Sequence, residues 1–420
     1  MTTVLPMNST PRKDFELSLD EIAREGARRL LVQALNQEVE EYVQQFSTEV
    51  DESGKRLVVR NGTGQSRSVT MGSGAVEVKC PRVNDKRDGE KFFSSILPPY
   101  LRKSLKIESL LPVLYLKGLS TGDFKSALGA FLGEGTMGLS PASIVKLKKV
   151  WEEEFDLWSK RPITKKYVYM WVDGVNVQIR LGEDKKTCLL VIIGVTEDGT
   201  KELLAVHPGY RESAESWLTV LRSLIDRGMT APLLAMGDGA LGFWAAMRTC
   251  KGFEKTEEQR CWVHKIANVL DKMPKRVQPD AKGLLHEMMK AATEADALKA
   301  RQSFENLFGD KYPKATECLV KSWPELTTFF HYPAAHWTSL RTTNPIESSF
   351  ATVKLRTKVT KGAGSKETAA SMAFKLLQEC QKRWRKIRGE KEHLQNLLAG
   401  LEYKDGVVVP QSSRQEVAAS

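Results

Sequence analysis

The stretch YMWVDGVNV, residues 169–177, decides how this chain is read. The apolar run leading into it, Tyr167 to Val172, predicts a buried strand closing on Asp173. Asp is disfavoured in strands and rarely buried without a partner, so an acid there is costly unless something uses it. Two more acids occupy comparable settings. Asp238 follows the apolar run Leu233 to Met236 in LLAMGDGALG (233–242), and Glu347 opens a predicted helix in TTNPIESSF (342–350). Sixty-four residues separate the first pair and 108 the second. Three carboxylates brought together repel and raise one another's pKa unless cations neutralise them. Two Mg²⁺ ions held there could activate a water or a 3′-hydroxyl and stabilise the leaving oxygen of a phosphodiester. Taken singly, each acid is one of 52 in the chain, and an Asp ending a strand is common. The flanking sequence separates the two readings.

Those flanks form a series: WVDGVNV around Asp173, IIGVTEDGTKELL, GYRESAESW followed by LIDRGM, GDGALGFWAAM around Asp238, QRCWVHKIANVL, and TTNPIESSFATVKLRTK around Glu347. In this order and at these separations, the series resembles the Mutator-type transposases of bacterial insertion sequences. The likeness begins near Arg60 in VVRNG and runs to about Arg388. Phe350 departs from the pattern, because the family often carries Asn three residues after the Glu.

The resemblance implies a DDE transposase that binds terminal inverted repeats, cleaves DNA at the element ends and joins 3′-hydroxyls to target DNA. It also implies catalysis by Asp173, Asp238 and Glu347 as ligands of Mg²⁺, with Mn²⁺ able to substitute. The expected fold class is α/β: a ribonuclease-H-like mixed-sheet catalytic core with an α-helical insertion, preceded by a smaller α+β DNA-binding region. Double-stranded DNA is the expected partner, with a homodimer or higher oligomer assembled on it.

Composition agrees with a multi-part nucleic-acid enzyme. The 420 residues suffice for two or three domains, and 63 Lys and Arg against 52 Asp and Glu give a net charge of +11, favouring a polyanionic partner. The longest apolar run, Cys188 to Val195, is too short to span a bilayer, and the N-terminus lacks the apolar stretch of a signal peptide. Six scattered cysteines show no disulfide framework. A reducing, cytoplasmic location beside the bacterial nucleoid is the expectation, without membrane association.

Four segments are expected. Residues 1–55 are helical: Ser18 and Glu21 have capping-box spacing, and Ile22, Leu30, Leu31, Leu35, Val39, Val43 and Phe46 recur at helical intervals. Residues 56–160 hold a β section with Asn61-Gly62 as its turn, then short helices around the loop GEGTMG. Helix, turn, helix with Lys146, Lys148 and Lys149 fits a helix-turn-helix DNA reader; a three-helix structural module gives much the same pattern. Arg60, Arg67, Lys79, Arg82 and Lys86 in the β section fit a solvated face as well as phosphate contact.

The catalytic domain is expected over 161–395. One strand ends at Asp173, a second runs through Val177, Ile179 and Leu181, and a third spans Thr187 to Val195. Asp198-Gly199 turns the chain, Glu202 to Val206 pairs back, and Ser213 to Met229 is a helix before the strand that delivers Asp238. Helical patterns at about 265–335 form the insertion. Residues 396–420 make a C-terminal tail, polar and disordered after Asp405.

Cys261 and His264 offer half of a zinc site without the second half that a closed structural site needs. The resemblance implies instead that this pair marks the family and positions the strand and helix after Asp238. Trp262 between them fits stacking on an unpaired base or burial in the core. Lys354, seven residues after Glu347, and Arg356 follow on the same helix. From Phe350 to His393 there are 12 Lys and Arg against 4 Glu, including Arg383, Arg385, Lys386 and Arg388 in KRWRKIR. Phosphate-backbone binding is the preferred reading of this segment, and an exposed helix face the alternative. Two rival functions remain: a nuclease or resolvase of the same fold, which cuts without joining, and a DNA-binding regulator derived from a transposase. The presence of all three acids argues against the regulator.

Overall fold

The computed structural model describes residues 18–410, apart from 117, 120–122, 133–140, 182–184, 210, 240–241, 360–361 and 390. The chain divides into two units, Met1–Val145 and Lys146–Ser420. Among the described residues no helix is long and apolar enough to cross a membrane.

In the first unit, helix α1 (Leu19–Gln45) opens with the capping box its sequence predicts. The Ser18 hydroxyl accepts from Glu21 N–H at 3.3 Å, and the Glu21 carboxylate accepts from Ser18 N–H at 2.6 Å. Leu35 turns inward onto the hairpin of β1 (Val58–Met71) and β2 (Gly74–Asp85), meeting Val69, Val76 and Val78. Asn61-Gly62 is not the turn of this hairpin. Strand β1 runs through it with register shifts between Arg60 and Ser66, and Gly62 sits at φ 62°, so the pair makes a bulge. The chain reverses at Gly72-Ser73, between the paired Met71 and Gly74. Arg67 is engaged within this unit, donating to the Leu97 and Pro98 carbonyls at 2.7 and 3.2 Å. Helices α2 (Leu105–Leu116), α3 (Asp123–Leu132) and α4 (Pro141–Ser159) lie where the sequence places them, α4 crossing into the second unit. The GEGTMG loop and the Lys146 side chain lie outside the described residues, so the helix-turn-helix reading rests on sequence alone.

The second unit is built on a five-stranded sheet. Strands β3 (Tyr167–Gln178), β4 (Lys186–Thr196) and β5 (Lys201–Gly209) form an antiparallel meander. Helix α5 (Ala214–Asp226), capped by the Ser213 hydroxyl, crosses to β6 (Leu234–Gly237), which pairs parallel to β3. Helix α6 (Phe243–Thr249) leads to β7 (Glu257–Arg260), parallel to β6, and the strand order is β5-β4-β3-β6-β7. Every residue of β4 after Lys186 is buried, as its apolar run requires.

Asp173 does not end a strand. β3 continues through it to Gln178, because β4 pairs with it over that whole length; the two expected strands are one, and Leu181 is exposed beyond it. The polar strand EEQR of β7 has no apolar signal. It is held from outside: Gln259 is buried, donates to the Leu326 carbonyl at 3.1 Å and accepts from Phe329 N–H at 2.8 Å.

One sheet face packs Met170, Val172, Leu190, Ile192 and Leu204 against Trp217, Leu221 and Leu224 of α5 and Phe243 and Met247 of α6. The region after β7 is helical as expected: α7 (Trp262–Leu270), α8 (Gln278–Lys290), α9 (Glu294–Phe308), α10 (Pro313–Val320), α11 (Trp323–Thr327) and, after two 3₁₀ turns, α12 (Trp337–Leu340). Then α13 (Asn344–Val359) packs on β3 and α14 (Lys366–Gln381) on β5, followed by α15 (Lys391–Leu398). The expected tail instead starts as a hairpin, β8 (Tyr403–Lys404) with β9 (Val407–Val408), turned by Asp405 and Gly406 at φ 49° and 81°. Residues 411–420 lie outside the described set.

Leu224 is fully buried between α5 and the sheet. Leu224→Ala should lower unfolding stability by about 3 kcal/mol. Urea denaturation checks this, and an unchanged midpoint would mean that α5 is not part of the core.

Candidate active site

The parallel register places two of the acids. Tyr169, Met170 and Trp171 pair with Leu234, Ala235 and Met236, so Asp173 and Asp238 each stand two residues beyond the last pair. They therefore occupy the same level on neighbouring strands. Gly174 N–H donates to Asp173 Oδ1 at 2.7 Å and Gly239 N–H to Asp238 Oδ1 at 2.5 Å. The Asp238 carbonyl accepts from the Trp244 indole at 2.7 Å, fixing the loop onto α6. Glu347 approaches from the first turn of α13, and its charge acts on Asp173.

A fourth carboxylate, Glu212, joins them. It sits between β5 and α5, and a Cβ on Gly174 would lie 2.1 Å from its Oε1, so a side chain there would make Glu212 shift. Burial pushes the Asp173 carboxyl up to about 7, helped by the charges of Glu212 and Glu347 and opposed by the Gly174 N–H and His264. Burial and the charge of Asp238 raise Glu212 likewise. Glu212 was not singled out from the sequence. Within GYRESAESW nothing local distinguishes it from Glu215; its place just before the helix-capping Ser213 is the only signal.

The Cys-x-x-His pair meets Glu347. Thr343, immediately before α13, donates its N–H to Cys261 Sγ at 3.3 Å, and its hydroxyl lies 3.2 Å from the same sulfur and 3.5 Å from His264 Nδ1. That hydroxyl also bonds Glu347 Oε1, which lies 3.8 Å from His264 Nδ1. Hydrogen bonding to Cys261 raises the His264 imidazole to about 9, with Asp238 and Glu347 adding to the effect. Burial works to raise the Cys261 thiol, but bonds from His264 and Thr343 outweigh it and lower it. A cation thus faces the acids. The sulfur, imidazole and Glu347 ligand atoms lie within 4.8 Å of one another, so the pair sits against the start of α13. Glu347 N–H donates to the Thr343 carbonyl at 3.1 Å, so Thr343 caps the start of the helix.

Two expected DNA contacts are corrected by burial. Trp262 is fully buried, its indole donating to the Leu326 carbonyl at 2.8 Å and its ring edge-on to Trp323, so it cannot stack on a base. Arg356 is buried on the inner face of α13 with Val353. Phe350 lies on that face too, and the departure from the family pattern is a core contact. Lys354 is exposed, as are Arg383, Arg385, Lys386 and Arg388. Residues 382–388 follow α14 as an irregular segment rather than a helix face. Trp384 donates to Ser349 Oγ at 3.0 Å, and Lys386 pairs with Asp198 at 2.7 Å.

Two partly buried acids on neighbouring parallel strands, with an imidazole beside them, thus share one place on an α/β sheet. Residues 3–387 match the Mutator family of transposases, to which the chain belongs. The transposase for insertion sequence element IS6120 of Mycolicibacterium smegmatis is 50% identical over 282 residues, 67% of this chain and 86% of the relative. The transposase for IST2 of Acidithiobacillus ferrooxidans is 45% identical over 284 residues, 67% and 95% of the two chains. The transposase for ISRM5 of Rhizobium meliloti is 25% identical over 376 residues, 89% and 91%. The chain is an insertion-sequence transposase.

A carboxyl whose folded pKa lies above its unfolded value keeps its proton longer in the native state, so stability falls as pH rises between the two. For Asp173 that window runs from about 4, the ordinary Asp value, to about 7. Three units at about 1.4 kcal/mol each set an upper bound of about 4 kcal/mol. In metal-free buffer, Asp173→Asn should melt above the parent protein at pH 8, with the gap closing towards pH 4. A gap independent of pH would show that Asp173 ionises as an exposed acid.

Proposed function

We propose that the chain is a DDE enzyme with a ribonuclease-H-like core. It binds the terminal inverted repeats of its element, cleaves DNA there and joins the freed 3′-hydroxyls to target DNA, as a homodimer or higher oligomer. The observation that carries this reading is the meeting of Asp173, Asp238 and Glu347, from three separate elements, at one electrostatic centre. The strand order β5-β4-β3-β6-β7, with β4 alone running against the others, supports the ribonuclease-H-like assignment.

Carboxylate oxygens are the donors that Mg²⁺ and Mn²⁺ prefer, and a divalent cation would offset both the burial and the neighbouring negative charges that lift Asp173. Asp173, Asp238 and Glu347 would hold the metal, with Glu212 beside them. Once bound, a pair of such ions supplies an activated water or 3′-hydroxyl and charge stabilisation for the leaving oxygen. The protein's own part is orientation. The Gly174 and Gly239 N–H groups each fix one carboxylate through Oδ1, and Thr343 fixes the third. The net charge of +11 and the exposed Lys354, Arg383, Arg385 and Arg388 support a phosphate-backbone partner.

Asp238→Asn and Glu347→Gln should fold, bind element ends and lose cleavage and joining by at least a hundredfold, because an amide supplies a weaker oxygen and no charge. Gel assays of cleaved and joined products check this. Cleavage near the parent rate by Glu347→Gln would reduce Glu347 to a helix-start residue, and cleavage without joined donor and target would favour a nuclease.

Millimolar Mg²⁺ should raise the parent melting temperature by several degrees through linkage, and that of Asp173→Asn by much less. Equal shifts would remove Asp173 from the metal site.

A further inference from the structure

Cys261, His264 and Glu347 bring together three donors of different chemistry: a thiol, an imidazole and a carboxylate. Spacing in the sequence offers only the first two, and the third arrives on α13. All three ligand atoms lie within 4.8 Å of one another, and His264 Nδ1 is 3.8 Å from Glu347 Oε1. Zinc bonds of about 2.0–2.3 Å in a tetrahedron leave neighbouring ligand atoms about 3.5 Å apart, so shifts of about 1 Å close the set. The Thr343 hydroxyl marks the point on which the donors converge. It lies 3.2 Å from Cys261 Sγ and 3.5 Å from His264 Nδ1, and it is hydrogen-bonded to Glu347 Oε1.

Backbone contacts hold this frame. Cys261 N–H donates to the Gly237 carbonyl at the end of β6, and Trp262 N–H to the Arg341 carbonyl before α13, both at 2.9 Å. Thus α7 is fixed between the strand that leads to Asp238 and the segment that leads to Glu347. Cys261 is buried, whereas the His264 and Glu347 side chains are each 34% exposed, which gives an ion a way in from solvent.

Sulfur and nitrogen donors suit Zn²⁺ and are poor ligands for Mg²⁺. We propose that Zn²⁺ binds Cys261 Sγ, His264 Nδ1 and Glu347 Oε1, with water as fourth ligand, and thereby inhibits the enzyme. The ion takes the place of the Thr343 hydroxyl and draws Glu347 away from Asp173 and Asp238. Structural zinc is held by four protein ligands; three, two of them part-exposed, make an exchangeable site. The binding site stands on the geometry, whereas the inhibition rests on the reading of Glu347 as a ligand of the catalytic metal.

The first measurement needs no DNA. Co²⁺, an optical stand-in for Zn²⁺, should give the full chain a thiolate-to-metal charge-transfer band that added Zn²⁺ removes. Cys261→Ser keeps a hydroxyl for Thr343 but should lose the band, and His264→Gln should weaken Co²⁺ and Zn²⁺ binding. Melting in metal-free buffer shows whether each variant folds. His264→Gln, on a part-exposed side chain, carries the comparison if Cys261→Ser does not. The second measurement follows cleavage of an inverted-repeat duplex at fixed Mg²⁺ as Zn²⁺ is added, each protein set against its own zinc-free rate. With free Zn²⁺ at about ten times its dissociation constant, the parent should slow about tenfold, since only about a tenth of the sites stay empty. At that concentration the variants should slow by less than about twofold. A parent without the band, or an undiminished band in Cys261→Ser, overturns the site. Equal slowing of parent and variants, or a parent that binds Zn²⁺ and cuts at its full rate, overturns the inhibition. If the parent does not cut even in Mg²⁺ alone, the catalytic reading fails and the inhibition with it, while the Co²⁺ band still decides the site.

Discussion

The parallel pairing of β3 with β6 governs the rest of the molecule. It spans three residue pairs, Tyr169 to Trp171 with Leu234 to Met236, and each strand reaches an acid two residues later. Beyond that point β6 stops while β3 continues against β4, opening a gap at the ends of the strands. β3 leaves for β4 on one side, and the chain returns through α5 to β6 on the other, which is where open α/β sheets place their ligands. Burying acids there is unfavourable, and the apolar face beneath, with Trp217, Leu221 and Leu224, supplies the offsetting stability. Gly174 leaves the space that the Glu212 carboxylate occupies, so a side chain there would make Glu212 shift.

Much of this was legible wherever the signal is local. The unbroken apolar run of β4, the Asp198-Gly199 turn and the face of α5 carrying Trp217, Leu221 and Leu224 form as their patterns predict. What failed depends on distant partners. The continuity of β3 through Gly174 and Asn176 comes from β4, and the polar β7 exists because Leu326 and Phe329 satisfy Gln259. Trp262 and Arg356 sit in basic or polar surroundings in sequence, yet helical packing buries both. Turn chemistry misleads at two places. Asn61-Gly62 has a hairpin signature but bulges, whereas Asp405-Gly406, with an equally good signature, turns a hairpin in the polar segment near the C-terminus.

The three acids illustrate the same division. Their identities and the apolar runs before two of them are visible in the sequence, and the family resemblance groups them. Composition and spacing say nothing of which groups surround them. Glu212 and Thr343 enter the site only through the fold, one through the room left by Gly174 and the other through the sulfur of Cys261.

The Cys-x-x-His pair shows how a short motif can act over a long interval. Cys261 precedes α7 and His264 lies one turn within it, so the helix fixes their spacing. Thr343, some 80 residues later, is held by both and in turn holds Glu347. The basic segment 382–388 is anchored in the same economical way. Trp384 bonds Ser349 on α13, Ile387 N–H donates to the Gly199 carbonyl at 3.0 Å, and Lys386 pairs with Asp198. Those three contacts tie α13 to the β4–β5 turn while Arg383, Arg385 and Arg388 stay exposed. One strap thus braces the helix that carries Glu347 and presents three cations to solvent.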